Sequence, residues 1–415
     1  MTTHSAPPIA PVPVAPAQVL ELFTRLLALQ PLTPWRTRRK GFAYARIWTP
    51  LITLWYLLWQ RLQDDPTLDA VVQDAHDGGA DALTPGPRPL SQRLRSAATA
   101  AFSKARARQP LRWLRHAFDH LTARLRQDAP NLLWHGREVC LIDGSTIRLR
   151  PHGNIPKRFA PAANQQGPAY WCLVRVVVGF CATSGLALVT GLGPQTVSEQ
   201  TLAVALLLRG TAGRIWVGDR NFGLWRLARA AVQTQSHLLV RLTERRAAKL
   251  LGRALHAGLD VAVQWTPSAH DQCDPGLERQ PVAGRLLCVA VRRLGFRTQI
   301  LYLFTTLTDA AQYSATDLLA LYGVRWHAEL NLRYLKTQMR LAQLDVKSAR
   351  LAIQQWYAGL LTYNLIRGVI LWAGALAGVS PLELSFAQAR RRICAALEAW
   401  QAEADPARRD RKSVV

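Results

Sequence analysis

From residue 18 to about 63 apolar positions recur at helical spacing, interrupted by the cations Arg36, Arg38, Arg39 and Lys40. The most apolar stretch there, Ile47 to Trp59, reads as a buried helix. It is too short to span a bilayer, carries Pro50 and is flanked by Arg46 and Arg61. Residues 64–90 lose the rhythm: Asp64, Asp65, Asp69, Asp74, Asp77 and Asp81 mix with Gly78, Gly79, Pro85, Gly86, Pro87 and Pro89, the composition of a loop or linker. Ser91 is placed to cap the next helix, where Arg93, Arg95, Lys104, Arg106 and Arg108 alternate with small residues. Leu114, Phe118, Leu121 and Leu125 then form one helical stripe.

Near residue 137 the period changes. Glu138–Arg150 reads as a strand with a Gly turn, Tyr170–Phe180 as the most β-branched strand of the chain, and Leu186–Thr190 as a third. Ser198 caps a helix to Leu208; strand 214–217, helix 223–232 and strand 238–242 follow. The order β-β-β-α-β-α-β, with its first three strands able to form an antiparallel meander, suits an α/β fold with a mixed sheet and helices on both faces, as in ribonuclease H-like domains. Residues 245–312 break the rhythm with strand-like runs around the turn-rich segment 270–276 and read as a β-rich insertion. Helices are expected over 314–343, about 349–375 and about 381–402.

This pattern predicts a disordered Pro/Ala tail (1–17), a helical basic N-terminal domain (18–130) and a catalytic domain made of 137–244 and 313–345. The insertion (245–312), C-terminal helices (346–402) and a basic tail (403–415) complete it. In 415 residues, 49% apolar residues supply a large core and exclude wholesale disorder. The 52 Lys and Arg outnumber 27 Asp and Glu, leaving +25 and pointing to a polyanionic partner, nucleic acid before membrane. Only seven of the cations are Lys; the Arg bias suits bidentate phosphate contact and equally suits a GC-rich coding sequence. The six Cys (140, 172, 181, 273, 288, 394) show no zinc spacing and read as packed, reduced thiols of a cytosolic protein. The N-terminus lacks the charged and apolar regions of a signal peptide, and no membrane segment is expected.

Candidate chemistry begins with two carboxylates. Asp143 sits inside an apolar strand, where an unpaired buried charge costs several kcal/mol unless a cation offsets it. Asp219 follows the strand 214–217, at an edge where open α/β sheets place their sites. Alone, either reads as well as a cap or turn residue. The helix 314–343 says more: Tyr322, Arg325, Glu329 and Lys336 fall within an arc of about 60°. Arg333 and Arg340 lie beside them, opposite an apolar stripe of Leu321, Val324, Ala328, Leu332, Leu335 and Met339. An ordinary solvated face with an Arg325–Glu329 pair accounts for part of this. It leaves Tyr322 and the excess of cations around one acid unexplained. Three carboxylates on two strands and a helix are what two-metal phosphoryl transfer requires, and hard oxygen ligands suit Mg²⁺ or Mn²⁺.

At these residues the chain resembles the insertion-sequence-4 family of DDE transposases. Tyr322, Arg325, Glu329 and Lys336 match its Y-(2)-R-(3)-E-(6)-K signature; Asp143 in DGST and Asp219 in GDRNF stand at the places of the first and second acids. The resemblance runs from about 138 to 387, with YNLIRG (363–368) and SPLELSF (380–386), and is weak before residue 130. Leu332 departs from the aromatic residue that relatives often carry there. The resemblance implies a ribonuclease H-like fold and cut-and-paste transposition: cleavage at terminal inverted repeats, a hairpin intermediate, and joining of a 3′-OH to target DNA. It implies that Asp143, Asp219 and Glu329 bind metal and that Tyr322, Arg325 and Lys336 contact phosphates of double-stranded DNA. A homodimer would form the synaptic complex, in a bacterial cytoplasm at the nucleoid. Trp265 is a candidate for stacking on a flipped base, beside a core role; Arg220 and Asn221 could touch the strand or merely turn the chain. The alternatives are a catalytically silent DNA-binding relative and a structure-selective nuclease of the same fold.

Overall fold

The computed structural model describes residues 47–64, 67–84, 88–127, 133–164, 167–269, 271, 274–291 and 299–404. The Pro/Ala tail, the cations at 36–40, Cys273 and the basic tail from 405 lie outside the described residues. The chain divides into two compact units, residues 1–105 with 386–415, and residues 106–385.

In the first unit, helix α1 (Pro50–Leu62) opens on Pro50, and Thr49 Oγ1 caps it by accepting from the Ile52 N–H at 3.3 Å. It is the buried helix expected here. Residues 64–90 are more than a loop, because α2 (Leu68–His76) lies among the aspartates, capped by Thr67. Val71, Val72 and Ala75 give it a short buried stripe, and buried Asp74 accepts from the Tyr56 hydroxyl at 3.0 Å. The Asp-rich composition hid an element that needs only one turn-long apolar face. A short α3 (Leu90–Arg93) follows, then α4 (Ala100–Arg108), whose Phe102 ring lies 4.9 Å from Trp48.

The second unit starts with α5 (Leu111–Gln127), which buries the anticipated stripe of Leu114, Phe118, Leu121 and Leu125. Its sheet contains ten strands among the described residues. Strands β1 (Val139–Leu149), β2 (Pro161–Asn164), β3 (Gly167–Cys181) and β4 (Ala187–Pro194) come first, with a one-turn α6 (Ile155–Arg158) between β1 and β2. Next come α7 (Glu199–Leu208), β5 (Ile215–Gly218), α8 (Trp225–Gln233), β6 (His237–Leu242) and α9 (Glu244–Leu251). Then β7 (Leu259–Trp265), β8 (Val282–Val291) and β9 (Gln299–Thr305) follow. The spatial order is β2-β3-β1-β5-β6-β9-β8-β7, with β4 on β3 and a two-residue β10 (Gln343–Leu344) parallel to β1. β1, β3 and β4 form the antiparallel meander, while β1, β5 and β6 run parallel. The architecture is thus mixed α/β with a mixed sheet. The strands read as an insertion continue that sheet, because β9 pairs with β6 (Leu239↔Thr305), and α9 adds a helix that the alternating pattern concealed.

After β9 along the chain come α10 (Ala315–Gly323), α11 (Trp326–Thr337), α12 (Ala349–Ala377) and, in the first unit, α13 (Phe386–Ala404). The stretch 314–343, expected as one helix, is two helices and a turn. Gly323 ends α10, the N–H groups of Val324 and Arg325 fall back on carbonyls three residues earlier, and Arg340 at φ +52° turns the chain into β10.

α12 is the one helix among the described residues long and apolar enough to cross a membrane by length and composition. Two thirds of that apolar window is buried inside the protein. Asn364 donates to Ala187 O (2.8 Å) and Thr122 Oγ1 (3.0 Å) and accepts from the Ala187 N–H (2.9 Å), so it binds β4 and α5 together. Tyr363 donates to Gly185 O at 2.6 Å, and Arg367 to Asn331 Oδ1 of α11 at 2.6 Å. The YNLIRG segment therefore fixes α11 to the sheet. Among the described residues Cys140, Cys172, Cys181, Cys288 and Cys394 are free thiols.

Candidate active site

Strand register brings the first two acids together. β1 and β5 pair in parallel with Leu141 opposite Val217. Two residues further along each chain stand Asp143, still within β1, and Asp219, the first residue past the end of β5. The Gly144 N–H donates to Asp143 Oδ1 at 2.8 Å, and the Asn221 N–H to Asp219 Oδ1 at 2.9 Å in an Asx turn.

Glu329 comes from the first turn of α11, which packs on β1 and β3. Its carboxylate is mostly exposed and is held by Arg325 at 2.8 Å. Lys336, two turns on, donates to Ser145 Oγ at 3.0 Å. Ser145 and Asp143, two residues apart on β1, share the face turned toward α11. Tyr322 is buried, with the Arg325 guanidinium 6.0 Å from its ring centroid, and burial pushes its phenol up.

The electrostatics join these groups into one field. Burial pushes the Asp143 carboxyl up to about 6; the Gly144 hydrogen bond opposes this, Asp219 and Glu329 raise it further, and Arg325 lowers it. Among the described residues, no three His, Cys, Asp or Glu side chains stand close enough to hold an ion as they are. Glu329 is turned to Arg325 instead. Releasing Glu329 from a largely exposed i,i+4 pair costs only about 0.3–0.5 kcal/mol. The donor set itself, carboxylate oxygens with one partly buried acid short of countercharge, has the chemistry of a hard divalent site.

The other expected contacts divide. Arg333 and Arg220 are exposed, as is Asn221. Trp265 is buried at the end of β7, edge-on to Phe304 with ring centroids 4.7 Å apart. That burial favours the core role that stood beside the stacking expectation.

Sequence reasoning missed Glu199, a fourth carboxylate in the first turn of α7. It accepts from Asn221 Nδ2 at 2.8 Å, and its carboxyl is raised by burial, lowered by Arg175 and raised by Asp219. The only sequence signal was its place after the Ser198 cap, where an acid reads as a helix-dipole partner. Trp326, three residues before Glu329, was also missed and is half exposed.

A family model described as a transposase DDE domain matches residues 134–365, the span from just before β1 into α12, which includes all three acids. Over 378 residues the chain is 28% identical to the transposase InsG for insertion sequence element IS4 of Escherichia coli K12, covering 89% of this chain and 78% of that protein. A cryo-EM structure of a piggyBac transposase synaptic complex with hairpin DNA aligns at 11% identity and a TM-score of 0.46, over 96% of this chain and 84% of that one.

Proposed function

Because the chain belongs to the DDE-domain transposase family, an enzyme family of DNA transposition, we propose that Asp143, Asp219 and Glu329 are its cation ligands and that it performs cut-and-paste transposition. The observation that carries this reading is that Asp143 on β1 and Asp219 just past the neighbouring parallel strand β5 lie near enough to act on one another, with Glu329 acting on the same Asp143 carboxyl from α11. The sheet order is in keeping with a ribonuclease H-like domain.

In this reading the three carboxylates would hold two Mg²⁺ ions, or Mn²⁺ as substitute, which would supply Lewis-acid activation of the attacking oxygen and stabilisation of the leaving one. The chain's own groups do the rest. Arg325, braced against the Tyr322 ring, and Lys336, anchored on Ser145, present cations to the phosphates on either side of the scissile bond. Arg333 and Arg220 extend that surface along the strand. The 3′-OH released by hydrolysis at a terminal inverted repeat attacks a phosphodiester of the opposite strand and expels the flanking strand's 3′-oxygen, leaving a hairpin; water opens it, and the regenerated 3′-OH attacks a target phosphodiester and expels the target strand's 3′-oxygen. Two copies of the chain pair the two ends in a synaptic dimer, in a bacterial cytoplasm at the nucleoid.

Asp143→Ala, Asp219→Ala and Glu329→Ala should each abolish Mg²⁺-dependent cleavage of inverted-repeat DNA while the protein still binds it. Full cleavage by any one variant removes that residue from the site. Joined products with target DNA separate a transposase from a nuclease that only cuts.

A further inference from the structure

Adjacent residues of β1 point to opposite faces of the sheet. Ser145 meets Lys336 of α11, whereas Gly144 faces α7 and lies directly against Glu199. A Cβ at position 144 would stand 2.3 Å from Glu199 Cδ and 2.6 Å from Oε2, closer than real contacts allow. A side chain at position 144 would have to push the Glu199 carboxyl group aside. Glu199 Oε2 also accepts from Asn221 Nδ2 at 2.8 Å, and the Asn221 side-chain oxygen is held by Gln200. Glu199 thus lies against two residues whose backbone N–H groups hold the aspartates, Gly144 on Asp143 and Asn221 on Asp219. A helix-dipole role explains an acid in this turn but not contacts with both donors.

We infer that Glu199 is a positioning residue for the acid pair: by its hydrogen bond to Asn221 and its packing on Gly144 it fixes the turn carrying Asp219 against the strand carrying Asp143. The inference rests on the reading of those aspartates as cation ligands. Supports of this kind behind metal ligands are worth about 10–100-fold in metal affinity. Because the contact to Asn221 needs only an acceptor oxygen, glutamine can replace glutamate in it.

The test uses the full chain and Mn²⁺ as the probe, its binding followed by electron paramagnetic resonance and the metal-free melting of each variant by calorimetry. Glu199→Ala should weaken Mn²⁺ binding about 10-fold. Glu199→Gln should recover to within about threefold of wild type, since the amide oxygen still accepts from Asn221. Asn221→Ala, a change in an exposed turn, should reproduce the Glu199→Ala loss even if the latter folds poorly. Gly144→Ala should match Glu199→Ala, and the double variant should be no worse than either single one. Unchanged Mn²⁺ affinity in both Glu199→Ala and Asn221→Ala overturns the inference, as does a Glu199→Gln variant as weak as Glu199→Ala, which would make charge the active property. Wild type binding Mn²⁺ no better than Asp143→Asn would instead remove the premise about the aspartates.

Discussion

If Asp143 is a cation ligand as proposed, it sets metal binding against stability, and the size of that conflict follows from its surroundings. With no cation present, its folded-state carboxyl is held up to about 6 against an ordinary 3.8. An acid raised in the folded state binds protons more readily there than in the unfolded chain. Folding stability therefore falls as pH rises from about 4 to 6 and is flat above that window. At 1.36 kcal/mol per unit, the ionised carboxylate costs the metal-free protein about 3 kcal/mol at pH 7.5. Asparagine keeps the shape without the charge. Asp143→Asn should thus be about 3 kcal/mol more stable than wild type at pH 7.5 in EDTA, a rise in melting temperature of about 6 °C for a unit of this size. At pH 4.5 the advantage should shrink to about 1 kcal/mol, and the variant should not cleave DNA. Calorimetric melts at the two pH values, with a cleavage assay alongside, check this. A variant less stable than wild type at pH 7.5, or an advantage that does not shrink with acid, would refute the burial argument.

Other expectations separate packing from chemistry. Trp265→Ala should cost about 3–5 kcal/mol in a melt and leave the salt dependence of DNA binding unchanged, as befits a buried ring; altered DNA binding with native stability would restore a contact role. Asn364→Ala removes three buried hydrogen bonds and should lower stability by about 3 kcal/mol, with loss of cleavage following loss of fold rather than preceding it. Lys336→Ala should weaken binding to all DNA sequences alike and reduce the slope of log affinity against log salt by about one. An unchanged slope would leave Lys336 only its bond to Ser145.

The elements that set the site's height and spacing were legible because they depend on local rules. Alternating strands, the Ser198 cap and the 3.6-residue stripe of α11 gave the meander, α7 and the buried positions Leu332, Leu335 and Met339. What escaped depends on long-range contact. α2 is held by Tyr56 reaching Asp74, a partner 18 residues away that no local pattern announces. The insertion strands belong to the main sheet through the pairing of β6 with β9, and strand texture is the same in a separate domain and in an extended sheet. The break between α10 and α11 needed only Gly323, but a strong apolar stripe on both sides masked it. Trp265 kept two readings because an indole looks the same in sequence whether it faces Phe304 or solvent. Glu199 was invisible as a support, since its two neighbours come from distant segments.

The union of α5 with α12 has a consequence for how the chain must be made. Thr122 and Asn364 lie 242 residues apart, yet each completes the other's bonding. During synthesis the greasy side of α5 leaves the ribosome long before its cover exists, and the whole sheet must be translated first. Any product cut short ahead of residue 349 keeps the acid-bearing strands but leaves that side bare. Such fragments should clump or be degraded, so the cell meets this enzyme whole or scarcely at all.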